Sequence, residues 1–81
     1  MPENTFVTID LNLFATLSET FMSSDPCYKV QANTTLAELM AHIGISEQDV
    51  KLIFVNGRKA DTSYQLMDGD RVGLFPPVGG G

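Results

Sequence analysis

The chain has 81 residues, which is enough for one small domain with a modest core. Its content of 43% hydrophobic and 19% charged residues is typical of a globular protein and argues against intrinsic disorder. A formal net charge of −5, with 5 Lys and Arg, argues against nucleic acid as the main ligand and favours a basic protein partner.

The sequence also argues against several other classes of protein. No apolar run approaches the length of a membrane span, and the N-terminus lacks the basic and apolar segments of a secretion signal, so we expect a cytoplasmic protein. A single cysteine, Cys27, cannot form an intrachain disulfide, and we expect it to be a small apolar side chain in or near a strand. We predict no metal site.

The first predicted strand starts near Thr5 and ends near Phe14. Its apolar residues alternate with polar ones, as in a half-buried strand. The core face would carry Val7, Ile9, Leu11 and Leu13, and the other face Thr8, Asp10 and Asn12. Phe6 and Phe14 fall on the polar face, so Phe14 is an apolar ring where solvent is expected.

A second strand is predicted after a short irregular segment. Residues 15–22 can form one or two helical turns, and Ser23-Ser24-Asp25-Pro26 is typical of a loop. Cys27–Val30 then indicates a short strand. Consecutive strands usually pair, so we expect an antiparallel hairpin with a wide connection.

The clearest helix starts after Thr35. Thr35 and Glu38 have the spacing of a capping box, and Gly44 can end the helix in the left-handed conformation. Leu36, Leu39, Met40 and Ile43 form one apolar stripe, which is typical of a core-facing helix.

Three short strands are predicted in the rest of the domain. Residues 50–55 are rich in β-branched and aromatic residues, and Asn56-Gly57 is a strong hairpin signal that leads into Arg58-Lys59. Residues 61–66 form an irregular crossing, and Asp68-Gly69-Asp70 forms a turn before the last strand, residues 71–75. Val72 and Leu74 share one face of that strand, and Arg71, Gly73 and Phe75 share the other.

These elements predict an α+β fold in which a mixed sheet of four to five strands packs on one main helix. If the first and last strands are parallel in the centre of the sheet, Phe14 and Phe75 become neighbours on the face away from the helix. If Leu52 and Phe54 point toward the helix, Ile53 points outward beside the two rings. An exposed apolar cluster usually marks a protein interface, so Phe14, Ile53 and Phe75 are predicted to form a partner docking surface.

The carboxyl-terminal residues leave this sheet. Pro76 and Pro77 lack backbone donors and therefore end the ladder after Phe75. Val78 precedes Gly79, Gly80 and Gly81, residues that cannot add to a core and that lose much entropy when they become ordered. Such an ending is typical either of a frayed terminus or of a carboxylate presented on a thin tether to an enzyme.

Three motifs give the chain a family resemblance. Residues 67–78 followed by Gly80-Gly81 resemble the carboxyl-terminal signature of the molybdopterin synthase small subunit and of the thiamine-pathway sulfur carriers. Residues 13–17 and 54–58 are similar to the first strand end and the middle hairpin of the same family. The resemblance implies a ubiquitin-like β-grasp domain over residues 1–75 and a flexible tail over residues 76–81.

The resemblance also implies a chemistry. The Gly81 carboxylate would attack the α-phosphate of ATP on a ubiquitin-activating-type adenylating enzyme, and a persulfide sulfur would then displace AMP and leave a thiocarboxylate. ATP would be used by the partner, with no cofactor bound to the chain and no catalytic residue of its own. Pro76, Pro77, Val78, Gly79 and Gly80 would thread into the partner, where residues without Cβ crowd the reacting carbon least.

The pathway that receives the sulfur stays open. Gly79 makes a triple glycine, which resembles the thiamine carriers, whereas Pro-Pro-Val favours molybdopterin assembly, with the molybdopterin synthase large subunit as a second partner. A ubiquitin-like modifier would use the same adenylate but end as an isopeptide on a target lysine. A plain interaction module would make no use of the tail.

Overall fold

Five strands and two helices make up the part of the chain that the computed structural model describes, residues 5–77. The strands are β1 (Phe6–Leu13), β2 (Asp25–Gln31), β3 (Leu52–Val55), β4 (Arg58–Lys59) and β5 (Arg71–Phe75). The helices are α1 (Thr16–Thr20) and α2 (Leu36–Ile43), and a 3-10 turn covers Glu47–Asp49. Residues 1–4 and 78–81 lie outside the described range.

The strands form one mixed sheet in the order β2-β1-β5-β3-β4. The central strands β1 and β5 are parallel, in a register that runs from Asp10 opposite Arg71 to Leu13 opposite Leu74. The β1–β2, β5–β3 and β3–β4 pairs are antiparallel. The predicted central parallel pair, the wide first hairpin and the Asn56-Gly57 hairpin are therefore confirmed.

Helix α2 begins and ends where its sequence signals place it. The Thr35 hydroxyl accepts a bond from the Glu38 amide, and the Glu38 carboxylate accepts one from the Thr35 amide, so two otherwise unpaired donors are satisfied. Gly44 ends the helix with φ 100°, and its amide donates to the carbonyls of Met40 and Ala41. A glycine adopts this left-handed conformation without steric cost.

The core lies between α2 and one face of the sheet. It consists of alternate residues of the strands, the apolar stripe of α2 and apolar residues of the connecting segments. Each buried aliphatic side chain contributes about 1.5–3 kcal/mol to the free energy of unfolding. The buried apolar residues are Ile9, Leu11, Leu13, Leu17, Val30, Leu36, Leu39, Met40, Ile45, Ile53, Val55, Leu66, Val72 and Leu74. The opposite side of the sheet is called the open face below.

Three local predictions need correction. Asp25 and Pro26 belong to β2 and not to the preceding loop, because β2 is an edge strand whose register shifts there, and an edge tolerates a residue without a donor. Strand β3 starts at Leu52, after the 3-10 turn, and not at Val50. Cys27 lies in β2 as predicted but is exposed.

Candidate functional site

The predicted tail follows directly after strand β5. The Phe75 carbonyl accepts a hydrogen bond of 2.7 Å from the Lys51 amide, and Pro76 and Pro77 then follow without amide donors, so the ladder ends here as predicted. Pro76 is half-buried and Pro77 is exposed. Val78, Gly79, Gly80 and Gly81 lie outside the described residues, and their predicted roles stay predictions.

Two phenylalanines stack at the point where β5 ends. The rings of Phe14 and Phe75 lie 4.3 Å apart between centroids with an interplanar angle of 4°. The Phe14 amide donates to the Leu74 carbonyl at 3.1 Å, which extends the parallel pairing by one residue and places the two rings side by side. Their predicted proximity on the open face is confirmed, and Phe14 is 42% exposed.

The prediction that Ile53 is the third residue of this docking surface is wrong. Ile53 is 8% exposed and belongs to the core. The register pairs Ile53 with Leu74 and Phe54 with Gly73, and directly opposed residues of antiparallel strands share a face. Phe54 therefore points to the open face, where its ring meets that of Phe75 edge-on with centroids 5.7 Å apart. We call Phe14, Phe54 and Phe75 the aromatic cluster.

A glycine forms the floor beneath the aromatic cluster. A Cβ atom on Gly73 would lie 3.3 Å from Cε2 of Phe14 and 3.4 Å from Cε1 of Phe75. The rings can therefore lie close to the backbone of β5 because position 73 has no side chain. They border an open cavity of about 400 Å³ whose other lining residues include Asp10, Asn12 and Arg71.

The polar rim of this cavity is largely bonded within itself. The side-chain amide of Asn12 donates to both the backbone carbonyl and the carboxylate of Asp10 at 3.2 Å, and to the Val72 backbone carbonyl at 3.3 Å. Arg71 Nε lies 3.6 Å from the Asp10 carboxylate. Because both side chains of this ion pair are solvated, the pair stabilises the fold little and mainly sets the charge at the rim.

A buried carboxylate fixes the start of β5. Asp70 is 6% exposed, and its two carboxylate oxygens accept hydrogen bonds from the Asn56 side-chain amide at 2.9 Å, the Tyr64 hydroxyl at 2.8 Å and the Met67 backbone amide at 2.9 Å. The side-chain oxygen of Asn56 (Oδ1) in turn accepts a hydrogen bond from the Arg71 backbone amide at 3.0 Å. The bond to Asp70, together with burial and the negative charge of Asp70, raises the pKa of Tyr64 above its ordinary value.

This arrangement is suited to binding. Among residues 5–77, no group of three or more His, Cys, Asp and Glu side chains could hold a metal ion. None of the helices in that range is long and apolar enough to cross a membrane. The open face instead presents three aromatic rings beside the base of the tail, which is the composition of a protein contact surface.

Sequence reasoning missed Phe54 and the importance of Gly73. In Leu52-Ile53-Phe54-Val55 both alternating sets are apolar, so the pattern does not define which set faces the core. The glycine did carry a signal, because a glycine inside a strand often marks a close approach of other atoms to the backbone.

One protein family and several solved structures are similar to this chain. The ThiS family model matches residues 11–81. Among curated proteins, no sequence matches the chain significantly.

Solved structures share the fold. The solution structure of the Haloferax volcanii HVO 2177 protein superposes with a TM-score of 0.75 at 24% identity, over 100% of this chain and 92% of that chain. The crystal structure of H. volcanii small archaeal modifier protein 1 gives 0.67 at 21% identity, over 89% and 99%. A crystal structure of SAMP1 from H. volcanii gives 0.66 at 26% identity, over 91% and 99%. The predicted ubiquitin-like β-grasp fold is confirmed.

Proposed function

Because the chain belongs to the ThiS family of ubiquitin-like sulfur carriers, we propose that it carries sulfur as a thiocarboxylate on Gly81. The observation that carries the proposal is the family match, which runs through the three glycines to Gly81. The folded domain supports it by ending its central strand β5 at Phe75, immediately before the two prolines.

The chemistry requires an activating partner because a free carboxylate is a poor electrophile. A carboxylate oxygen of Gly81 attacks the α-phosphate of ATP, and pyrophosphate leaves. A persulfide sulfur then attacks the acyl carbon of the adenylate, and AMP leaves. A thiol then attacks the outer sulfur of the resulting acyl disulfide and forms a disulfide with it, and the thiocarboxylate leaves. Carriers of this family are generally activated by enzymes of the ubiquitin-activating type, and in this proposal such an enzyme binds the ATP while a separate sulfur donor provides the persulfide.

In this proposal the chain presents its carboxyl terminus to the activating enzyme and provides the surface that the enzyme recognises. Glycines at positions 79–81 keep side chains away from the reacting carbon, and Pro76 and Pro77 restrict the first part of the tail, so less entropy is lost when the tail enters the partner. Phe14 and Phe75, together with Phe54 in place of Ile53, form the docking surface in this proposal. Their position at the base of the tail would orient Gly81 toward the nucleotide.

For the sulfur acceptor we propose the molybdopterin precursor, on the strength of the Pro76-Pro77-Val78 sequence that precedes the glycines. In that case the thiocarboxylated chain should form a complex with the molybdopterin synthase large subunit and lose its sulfur when the precursor is added. Loss of sulfur to a thiazole-forming enzyme instead would assign the thiamine pathway.

Intact-mass measurement tests the carrier function. The chain is incubated with the ubiquitin-activating-type enzyme of its own cell, ATP and a sulfur donor, and its mass should rise by the difference between sulfur and oxygen. Gly81→Ala, or one residue appended after Gly81, should abolish the increase, because added atoms crowd the acyl carbon. Gln48→Ala, an exposed change in the 3-10 turn, is the matched control. No increase for the native chain, or an equal increase for Gly81→Ala, would refute the proposal.

A second function, protein modification, is favoured by the structural likeness to a small archaeal modifier protein. A modifier would transfer the same activated Gly81 carbonyl to a lysine amine and form an isopeptide bond. Mass spectrometry of proteolysed cell extract decides between the two end products. Lysines that carry the carboxyl-terminal residues of this chain would establish the modifier role.

A further inference from the structure

Strand β2 forms one outer edge of the sheet. It pairs with β1 on one side and with no strand of residues 5–77 on the other. It has seven residues, whereas β4, at the opposite edge, has only two. An edge strand presents backbone donors and acceptors that can pair with a strand of another chain. Of the two edges, β2 is the one long enough for such pairing.

One hydrogen bond next to β2 defines which of its backbone groups point outward. The Ala32 amide donates to the Thr5 carbonyl at 2.8 Å, and bonded and non-bonded residue pairs alternate along antiparallel strands. Tyr28 and Val30 therefore direct their amides and carbonyls toward β1, and Lys29 directs both groups outward. The carbonyl before Tyr28 and the amide after Val30 also point outward, because the two polar groups of one trans peptide point in opposite directions.

The residue opposite Lys29 supports this assignment. Thr8 donates its amide to the Asp68 carboxylate at 2.8 Å, and its carbonyl accepts a hydrogen bond from the Gly69 amide at 2.8 Å. Asp68 and Gly69 lead into β5, which pairs with the other side of β1. The backbone groups of Thr8 are therefore directed away from β2, as in a non-bonded pair.

The outer edge of β2 is closed at both ends and open in the middle. The Cys27 amide donates to the Asp25 carboxylate at 2.9 Å, and the Gln31 carbonyl accepts from the Thr34 amide at 3.2 Å. Four outward groups have no hydrogen-bond partner among residues 5–77: the Cys27 carbonyl, the amide and carbonyl of Lys29, and the Gln31 amide. An antiparallel strand of five residues, centred opposite Lys29, would bond all four groups.

The side chains around this edge indicate what such a strand would carry. Lys29 is exposed on the open face, whereas Tyr28 and Val30 lie on the side of α2. Beside Val30 is a cavity of about 520 Å³ that is also lined by Leu39 and His42. Successive side chains of a strand alternate between faces, so an added strand would place its central side chain beside Lys29 and the two neighbouring ones beside α2. An acidic residue suits the first position, and apolar residues suit the other two.

We infer that the outer edge of β2 binds an extended segment of a partner protein with the pattern apolar-acidic-apolar, paired antiparallel and centred opposite Lys29. In strand addition the main chain provides affinity and alternate side chains provide specificity. Charge argues against a second copy of this chain, because symmetric pairing would place two Lys29 side chains opposite each other on chains of net charge −5 each. The inference goes beyond the carrier function, since β1 separates β2 from β5 and the tail.

Hydrogen exchange with a synthetic peptide tests the inference. The probe is Ser-Thr-Val-Glu-Val-Thr-Ser with blocked ends, added to the ¹⁵N-labelled chain and titrated by nuclear magnetic resonance. We expect a Kd below about 1 mM. At ten times that Kd, exchange of the Lys29 and Gln31 amides should slow about tenfold, because only the unbound chain exchanges. The Cys27 amide, which already has a partner, should change less.

Two matched comparisons separate strand addition from general attraction. A peptide N-methylated at its glutamate lacks the donor for the Lys29 carbonyl and should bind at least about tenfold more weakly. Lys29→Glu should weaken binding of the original peptide about fivefold, because an opposite-charge pair becomes a like-charge pair. Lys59→Glu, the same charge change at an exposed residue of β4, should stay within about twofold of the native chain.

Several outcomes would overturn the inference. These are unchanged exchange of the Lys29 amide, equal binding of the N-methylated peptide, and equal losses in Lys29→Glu and Lys59→Glu. If circular dichroism shows that Lys29→Glu does not fold, a peptide with lysine in place of glutamate replaces it as the charge test on the native chain. Self-association in analytical ultracentrifugation, with the Lys29 amide protected in the absence of peptide, would assign the edge to a second copy and refute the inference. The intact-mass test of Gly81 is independent of all these results.

Discussion

The two faces of the same sheet have opposite properties. On β5, Val72 and Leu74 are completely buried on the side of α2, whereas Phe75, their neighbour in the strand, is only half-buried on the open face. The helix side consists of interdigitated aliphatic residues, and the open face concentrates its apolar surface in three rings around Gly73. One face therefore stabilises the domain, and the other has apolar surface to offer to a partner.

This comparison shows how a domain of this size combines stability with recognition. With one main helix available, one face of the sheet can be covered from within the chain. The uncovered face carries Phe75, the last residue of β5, which directly precedes the first proline of the tail. Changes on the two faces should therefore separate cleanly into effects on unfolding and effects on binding.

The largest difference is expected from the same substitution on each face. Ile53→Asp buries an unpaired charge, which costs several kcal/mol in a domain whose total stability is ~5–15 kcal/mol, so most of the protein should be unfolded. Phe14→Asp, at a ring that is 42% exposed, should remain folded and weaken binding to the adenylating enzyme. Circular dichroism with urea and a binding titration measure the two effects. An unfolded Phe14→Asp would show that Phe14 belongs to the core.

An intermediate effect on the free energy of unfolding is expected at the buried hydrogen-bond network of Asp70, which lies at the start of β5. Asp70→Ala leaves the Asn56, Tyr64 and Met67 donors without their acceptor and should cost about 1–3 kcal/mol. Asp68→Ala, two residues away and exposed, removes one acceptor of the Thr8 amide and should cost less. Urea unfolding compares the two variants. Equal losses would mean that the buried network does not stabilise β5 beyond an ordinary turn.

The smallest effect is expected at alkaline pH. Because the pKa of Tyr64 is raised in the folded state, its contribution to stability is fully present below the unfolded tyrosine pKa of about 10 and is lost as pH rises through the folded pKa. The urea midpoint of the native chain should therefore fall more steeply above about pH 10 than that of Tyr64→Phe. Lysines titrate in the same range but are common to both proteins. Parallel pH profiles would contradict this role of Tyr64.

Much of the candidate site followed from the sequence, and the part that failed has a physical cause. For β1 and β5 the prediction of which alternate residues face the core was correct, because polar residues mark one face of each strand. This assignment placed Phe14 beside Phe75. Strand β3 has no polar residue to mark a face, so a shift of one residue exchanged Ile53 for Phe54. The register with β5 removes the ambiguity, and no local pattern contains that register.

The sequence by itself determined the elements whose signals are local. The capping box at Thr35, the stop at Gly44, the Asn56-Gly57 hairpin and the double proline after Phe75 act within a few residues, so they could be recognised without knowing the fold. Tertiary structure alone decided which side of β3 is buried, how the three rings pack and which atoms lie against Gly73. Those properties depend on atoms that strand pairing brings together from distant parts of the chain.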